Sequence, residues 1–151
     1  MAENDHPYRM TIDLNVLEHL ADGLYSSVAA VLTEAVANAW DADATEVRIA
    51  LDIAGDRIAI TDDGVGMDRN AVNDRYLRVG YRRRNEGDTS PGGRSVMGRK
   101  GIGKLSLFSI ADRIEVRTSI DGGEPLGLRI ATPDLRTAMA AGLAEYNPEP
   151  L

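Results

Sequence analysis

The stretch VAAVLTEAVANAWDADATEVRIALDIAGDRIAITDDG, Val28 to Gly64, changes its hydrophobic period part-way along, and that change sets the fold class. Up to Trp40 the apolar residues lie nearly all round a helical wheel, the signature of a buried helix, and Ser26 or Ser27 can cap its start. From Glu46 onward apolar and polar residues alternate on both sides of Ala54-Gly55-Asp56, as in two strands joined as a hairpin. A helix running into an antiparallel pair points to an α+β protein.

Working outward, TIDLNVLEHLADGLY on the N-terminal side reads as a short helix with Ile12, Val16, Leu17 and Leu20 on one side. A polar tail, residues 1–11, precedes it. On the C-terminal side MDRNAVNDRYLRVG reads as a helix capped by Asp68, and GIGKLSLFSIAD as another. Between them YRRRNEGDTSPGGRSVMG, Tyr81 to Gly98, has no apolar period and reads as a long loop, which inside a compact domain is usually functional or disordered. RIEVRTSI and PLGLRIA are strands around a GGE turn, and the chain is helical again after Pro133. The predicted architecture is a two-layer α/β sandwich: a mixed, mostly antiparallel sheet covered on one face by helices. One domain occupies residues 12–145, with the 81–98 loop inside it and an irregular tail at 146–151.

With 151 residues the chain has enough material for one core. It contains no Cys, which excludes disulfides, a thiol nucleophile and Cys-based zinc. No apolar run is long enough to span a bilayer and the N-terminus lacks a secretory pattern, so a cytoplasmic protein with no membrane partner is expected. The net charge of −7 argues against direct nucleic-acid binding by a broad basic surface. Arg82, Arg83 and Arg84 are a local exception that a solvated loop also explains.

Three elements can carry chemistry. Glu34, Asn38 and Asp41 fall at spacings of four and three, on one face of the first helix. Burying a carboxylate and an amide without partners costs several kcal/mol, so this face should meet something polar, such as a cleft holding a cation or water. Next, ITDDGVGM puts Asp62 and Asp63 at a strand end before Gly64 and Gly66, where the backbone can turn sharply and a flat or anionic ligand can approach. An ordinary turn has the same composition. Third, MGRKGIGKLS leads Gly98, Gly101 and Gly103 into a helix whose first N–H groups suit an anion. The two Lys of the chain, Lys100 and Lys104, both lie here. A P-loop would follow Lys104 with Ser or Thr to hold Mg²⁺; Leu105 stands there instead, so a metal ligand must come from elsewhere, and Asn38 is available.

In this order and at these separations, EAVANAWDA, DDGVGM and GRKGIGKLS resemble the gyrase–chaperone–kinase–MutL (GHKL) superfamily of ATPases with its Bergerat ATP-binding fold, over roughly Leu17 to Ala131. SIADRIEV also resembles the corresponding stretch of the ninety-kilodalton heat-shock chaperone. The resemblance implies ATP and Mg²⁺ as cofactors. It makes Glu34 the general base that activates water, Asn38 the Mg²⁺ ligand and Asp41 a support near base or ribose. Asp62 becomes the acceptor of the adenine amino group, in a pocket shaped by Gly64, Gly66 and Met67. Gly98, Lys100, Gly101, Ile102, Gly103 and Lys104 become the phosphate cradle, and residues 81–98 the lid over the nucleotide. The later Gly-Thr pair usual in the superfamily is absent, and Thr118 or Thr132 would be a poor substitute.

Hydrolytic members also take a phosphate-sensing Lys from a following domain. The chain is therefore expected to be the N-terminal module of a longer protein, coupled to downstream domains or a client, with a nucleotide-dependent homodimer among its states. Two other readings stay open: a histidine-kinase catalytic module, for which His19 is a weak phosphoacceptor candidate, and a switch that binds nucleotide without turnover.

Overall fold

The computed structural model describes residues 6–12, 27–79, 89–98, 106–143 and 145–151. In chain order these form β1 (Met10–Ile12), α1 (Val28–Asp41), β2 (Val47–Asp52), β3 (Arg57–Asp62), α2 (Arg69–Ala71) running into a wide turn over Val72–Tyr76, and β4 (Arg78–Val79). Then come α3 (Leu107–Ile110), β5 (Arg113–Thr118), β6 (Leu126–Ala131), α4 (Thr132–Ala140), β7 (Glu145–Tyr146) and β8 (Glu149–Pro150). The class is α+β, as the sequence predicts, and among the described residues every strand pair but one is antiparallel.

Hydrogen bonding divides the strands into three sets: β4-β1-β7, β2-β3 and β5-β6-β8. The core lies between the first and last sets. Met10, Val72, Leu77, Val79, Leu128, Ile130 and Leu135 are almost fully buried there, with Tyr8, Phe108 and Ile114 around them. Thr132 closes one side: its hydroxyl donates to Ala111 O at 2.6 Å and its N–H to Asp112 O at 2.9 Å. That buried clamp leaves it no part in a ligand site.

Three expectations are corrected. The polar tail is partly core, because Tyr8 and Met10 are only 3% and 1% exposed and β1 is the middle strand of its set. Asn73 fastens this segment by accepting from Arg9 N–H at 3.0 Å and donating to Pro7 O at 3.1 Å. Thr11 and Ile12, expected to open a helix, belong to β1; the rest of that helix, including His19, lies outside the described residues. At the other end, the tail expected at 146–151 carries strand residues, Tyr146 of β7 pairing with Met10 and Glu149 of β8 with Arg129. Two-residue strands are too short for a period to show in sequence.

The helix α1 differs most from expectation. Ser27 caps it, accepting from Ala30 N–H at 3.2 Å, but only Val31, Ala39 and Asp41 along it are buried. Among the described residues, neither α1 nor the β2-β3 hairpin contributes to the main core. On the hairpin the apolar face formed by Ile49, Leu51 and Ile58 is exposed. No helix among the described residues is long and apolar enough to cross a membrane.

Candidate functional site

The C-terminal end of α1 is where the described motif residues meet. The helix stops in a Schellman arrangement: Asp43 N–H donates to Trp40 O at 3.0 Å and Ala44 N–H to Ala39 O at 3.0 Å. The left-handed residue this needs is usually Gly; here it is Asp43, with φ of 60°.

Three consecutive residues at this end each hold a different segment. The Asp41 carboxylate, 9% exposed, accepts from Met97 N–H at 2.7 Å and Gly98 N–H at 2.9 Å. Ala42 O accepts from Val65 N–H at 2.9 Å, so the DDGVGM loop lies on the helix end. Gly64 is required there, since a Cβ would stand 2.8 Å from both Ala42 Cβ and Ala42 O. Asp43 accepts from the Ser90 hydroxyl, from Gly92 N–H at 2.6 Å, and faces Arg94 at 3.9 Å. The Ser90 hydrogen bond above all, then the Gly92 amide and Arg94, outweigh desolvation and hold the Asp43 carboxyl below its ordinary pKa.

The DDGVGM loop is held on its far side by β5. Gly66, at φ 69°, lies so close to Ser119 that a Cβ would be 1.8 Å from its carbonyl oxygen. Met67 N–H donates to Thr118 Oγ1 at 2.9 Å. Thr118, set aside from the sequence because no Gly precedes it, therefore supports this loop through its hydroxyl. The two acidic residues of the loop divide their work. Asp62 accepts from Gly64 N–H at 2.9 Å and is otherwise open to solvent. Asp63 accepts from Thr45 Oγ1 at 2.5 Å, Thr45 N–H at 2.7 Å and Glu46 N–H at 2.8 Å, which fixes the connection from α1 to β2.

Glu34 and Asn38 lie one turn apart on α1, Glu34 half-buried and Asn38 exposed. Among the described residues no hydrogen bond engages either side chain. The polar partners expected for this face are supplied, among the described residues, to Asp41 by the Met97 and Gly98 amides, while Glu34 is half-buried and Asn38 exposed. Lys100, Gly101, Ile102, Gly103 and Lys104 lie outside the described residues, as do Arg82, Arg83 and Arg84. Of the loop expected over 81–98, the last ten residues are described, and they hold a turn closed by Thr89 bridging Ser95 and by Ser90 N–H donating to Arg94 O at 2.8 Å.

Two open hollows occur among the described residues, one of about 340 Å³ beside Trp40, Thr45, Val47 and Arg94, and one of about 260 Å³ beside Thr118, Leu126 and Leu151. Glu34, Asn38 and Asp62 line neither. No group of three or more His, Cys, Asp or Glu gathers to hold a metal among the described residues. Asn38 offers one hard carbonyl oxygen, which suits Mg²⁺, an ion that is usually held by one or two protein groups together with waters and phosphates.

Residues 25–136 match the model of the histidine kinase-, DNA gyrase B-, and HSP90-like ATPases. The chain is 42% identical over 145 residues, 96% of its length, to a putative type II restriction enzyme, HgiDII, of Herpetosiphon aurantiacus. It is 34% identical over 121 residues, 74% of its length, to the DNA mismatch repair protein MutL of Myxococcus xanthus. It spans only 23% and 20% of the lengths of these two relatives.

Proposed function

The chain belongs to the histidine kinase-, DNA gyrase B-, and HSP90-like ATPase family, and on that premise we propose that it binds ATP with Mg²⁺ and hydrolyses it. The observation that carries this reading is the junction at residues 41–43. A nucleotide needs its base, its metal and its phosphates held at fixed separations. Here one helix end is hydrogen-bonded to the DDGVGM loop and to the start of the glycine-rich stretch, with Glu34 and Asn38 on the same helix.

In this reading the open carboxylate of Asp62 accepts the adenine amino group, and its bond from Gly64 N–H keeps it turned toward the loop. Gly64, Gly66 and Met67 shape the wall beside the base. Asn38 would hold Mg²⁺, which neutralises phosphate charge when bound. Residues 98–104 receive the phosphates, and Glu34 takes the proton from the attacking water as its oxygen bonds to the terminal phosphorus. The bond from that phosphorus to the bridging oxygen breaks, so that ADP leaves with that oxygen and inorganic phosphate is formed. Calorimetry should show ATP binding that needs Mg²⁺, and Glu34→Ala should keep that binding while phosphate release falls to background. Equal release by the variant and wild type would end the assignment of Glu34. Tight binding without release in the full-length protein would instead favour the switch.

The relatives bear on the larger setting. One is named a putative restriction enzyme and the other a DNA mismatch repair protein, and both extend far beyond the span of this chain. We infer that the domain serves as the nucleotide-driven part of a DNA-processing protein, with DNA contacted by other domains in keeping with the charge of −7. Adding duplex DNA to the full-length protein should raise its ATPase rate; an unchanged rate across DNA lengths and salt concentrations counts against this.

A further inference from the structure

The hairpin at residues 89–98 is fastened to α1 by more than the nucleotide reading requires. Trp40 is 42% exposed, yet its indole N–H donates to Ser95 O at 2.9 Å and the Arg94 guanidinium stacks over its ring at 4.7 Å. Arg94 also donates to Ala44 O at 2.6 Å. Ser90 is 5% exposed, and its hydroxyl both donates to Asp43 and accepts from Arg94 N–H at 2.9 Å. These contacts converge on Asp43, whose left-handed backbone costs roughly 1–2 kcal/mol relative to Gly. Gly at this position would end the helix as well, so helix termination does not explain an acidic residue. The carboxylate's bonds to the hairpin do.

We propose that Trp40, Asp43 and Arg94 are positioning residues that dock residues 89–98 onto the end of α1 before nucleotide arrives, so that the chain enters the phosphate-binding stretch at Gly98 already placed. This rests on the nucleotide reading above. Ordering a free loop on binding costs roughly 1–2 kcal/mol per residue, whereas a docked segment has lost that freedom during folding. The docking acts through the backbone at Met97 and Gly98, which Asp41 also holds. It therefore bears on the phosphate end of the ligand and leaves the adenine end, at Asp62, unaffected.

Asp43→Gly separates this role from a merely structural one, because it removes the carboxylate while relieving the backbone. In the full chain, calorimetry with Mg-ATP and with adenosine should give about a tenfold weaker ATP affinity in Asp43→Gly and unchanged adenosine affinity. Arg94→Ala should fall in the same direction. Amide exchange without nucleotide should quicken at Gly92, Met97 and Gly98 and stay unchanged in β5 and β6. Equal ATP affinity in variant and wild type overturns the proposal, as does a parallel loss for ATP and adenosine or slow exchange at Gly92 in the variant. A wild type that binds neither ligand overturns the nucleotide reading itself, whatever the exchange experiment returns; fast exchange at Gly92 in that wild type overturns the docking as well.

Discussion

Asp62 and Asp63 are adjacent and both exposed, yet their hydrogen bonds run in opposite directions along the chain. Asp62 turns forward to Gly64 and Asp63 back to Thr45 and Glu46. The Thr45 hydroxyl, with the two backbone amides, lowers the Asp63 carboxyl to about 2 from an ordinary 3.8. A carboxyl depressed in the folded state contributes stability that is present above 3.8 and is lost as the pH falls through about 2. Thermal melts of Asp63→Asn should accordingly lie below wild type at neutral pH and converge with it near pH 2; a gap that persists in acid would refute the assignment. Asp62→Asn should leave the melt unchanged while weakening ATP binding. Two glycines make a second matched test. Gly66 and Gly122 share φ of 69°, but an added Cβ meets Ser119 O at 1.8 Å in the first and nothing within 4 Å in the second. Gly122→Ala should cost about 1 kcal/mol in denaturant unfolding and Gly66→Ala at least about 2 kcal/mol more. Similar costs would mean that β5 does not press on this loop. The sharp turn at Gly64 and Gly66 was legible in the sequence. Asp43, Trp40 and Arg94 were not, because a helix end and a loop fifty residues later carry no shared pattern until they touch.

At the level of elements, period was legible and partnership was not. The hairpin β2-β3 and the β5-β6 pair follow the alternation of their residues, and Ser27 and Asp68 cap helices as side chains of their type should. The expectation that α1 is buried used the same logic and erred, since an apolar wheel shows what a helix could bury rather than what covers it. The terminal strands were missed for the opposite reason: β1 and β7 are three and two residues long, and they pair with each other from opposite ends of the chain. Met10 tests this directly. As part of a polar tail its truncation would cost nothing, whereas at 1% exposure Met10→Ala should destabilise by about 2–5 kcal/mol. A variant with wild-type stability in urea would restore the tail reading. Thr118 lies between these cases: its strand was predicted, and its bond to Met67 N–H depends on where β5 ends relative to a loop fifty residues earlier.

Among the described residues, the buried core draws on β1, the turn after α2, β4, α3, β5, β6 and α4, while α1, the β2-β3 hairpin and residues 89–98 add no side chain to it. Among the described residues the DDGVGM loop joins these parts, touching Ala42 on one side and Ser119 and Thr118 on the other. Regions with few buried apolar contacts open at lower free energy than the core they adjoin. Amides of α1 and β2 should therefore exchange faster than those of β5 and β6 in nucleotide-free protein. Nucleotide changes this in a defined way. Its proposed contacts, at Asn38 on α1 and at Asp62 and Gly66 on the loop, span the linkage, so occupancy must be lost whenever the two parts separate. At a hundred times its Kd a ligand adds about 2.7 kcal/mol to every opening that releases it. Saturating Mg-ATP should thus slow exchange in α1 and β2 by about a hundredfold, while fraying openings that do not disturb the site keep their rates. Slowing spread evenly over both parts would show that they already open as one unit, and no slowing in α1 would remove Asn38 from the site.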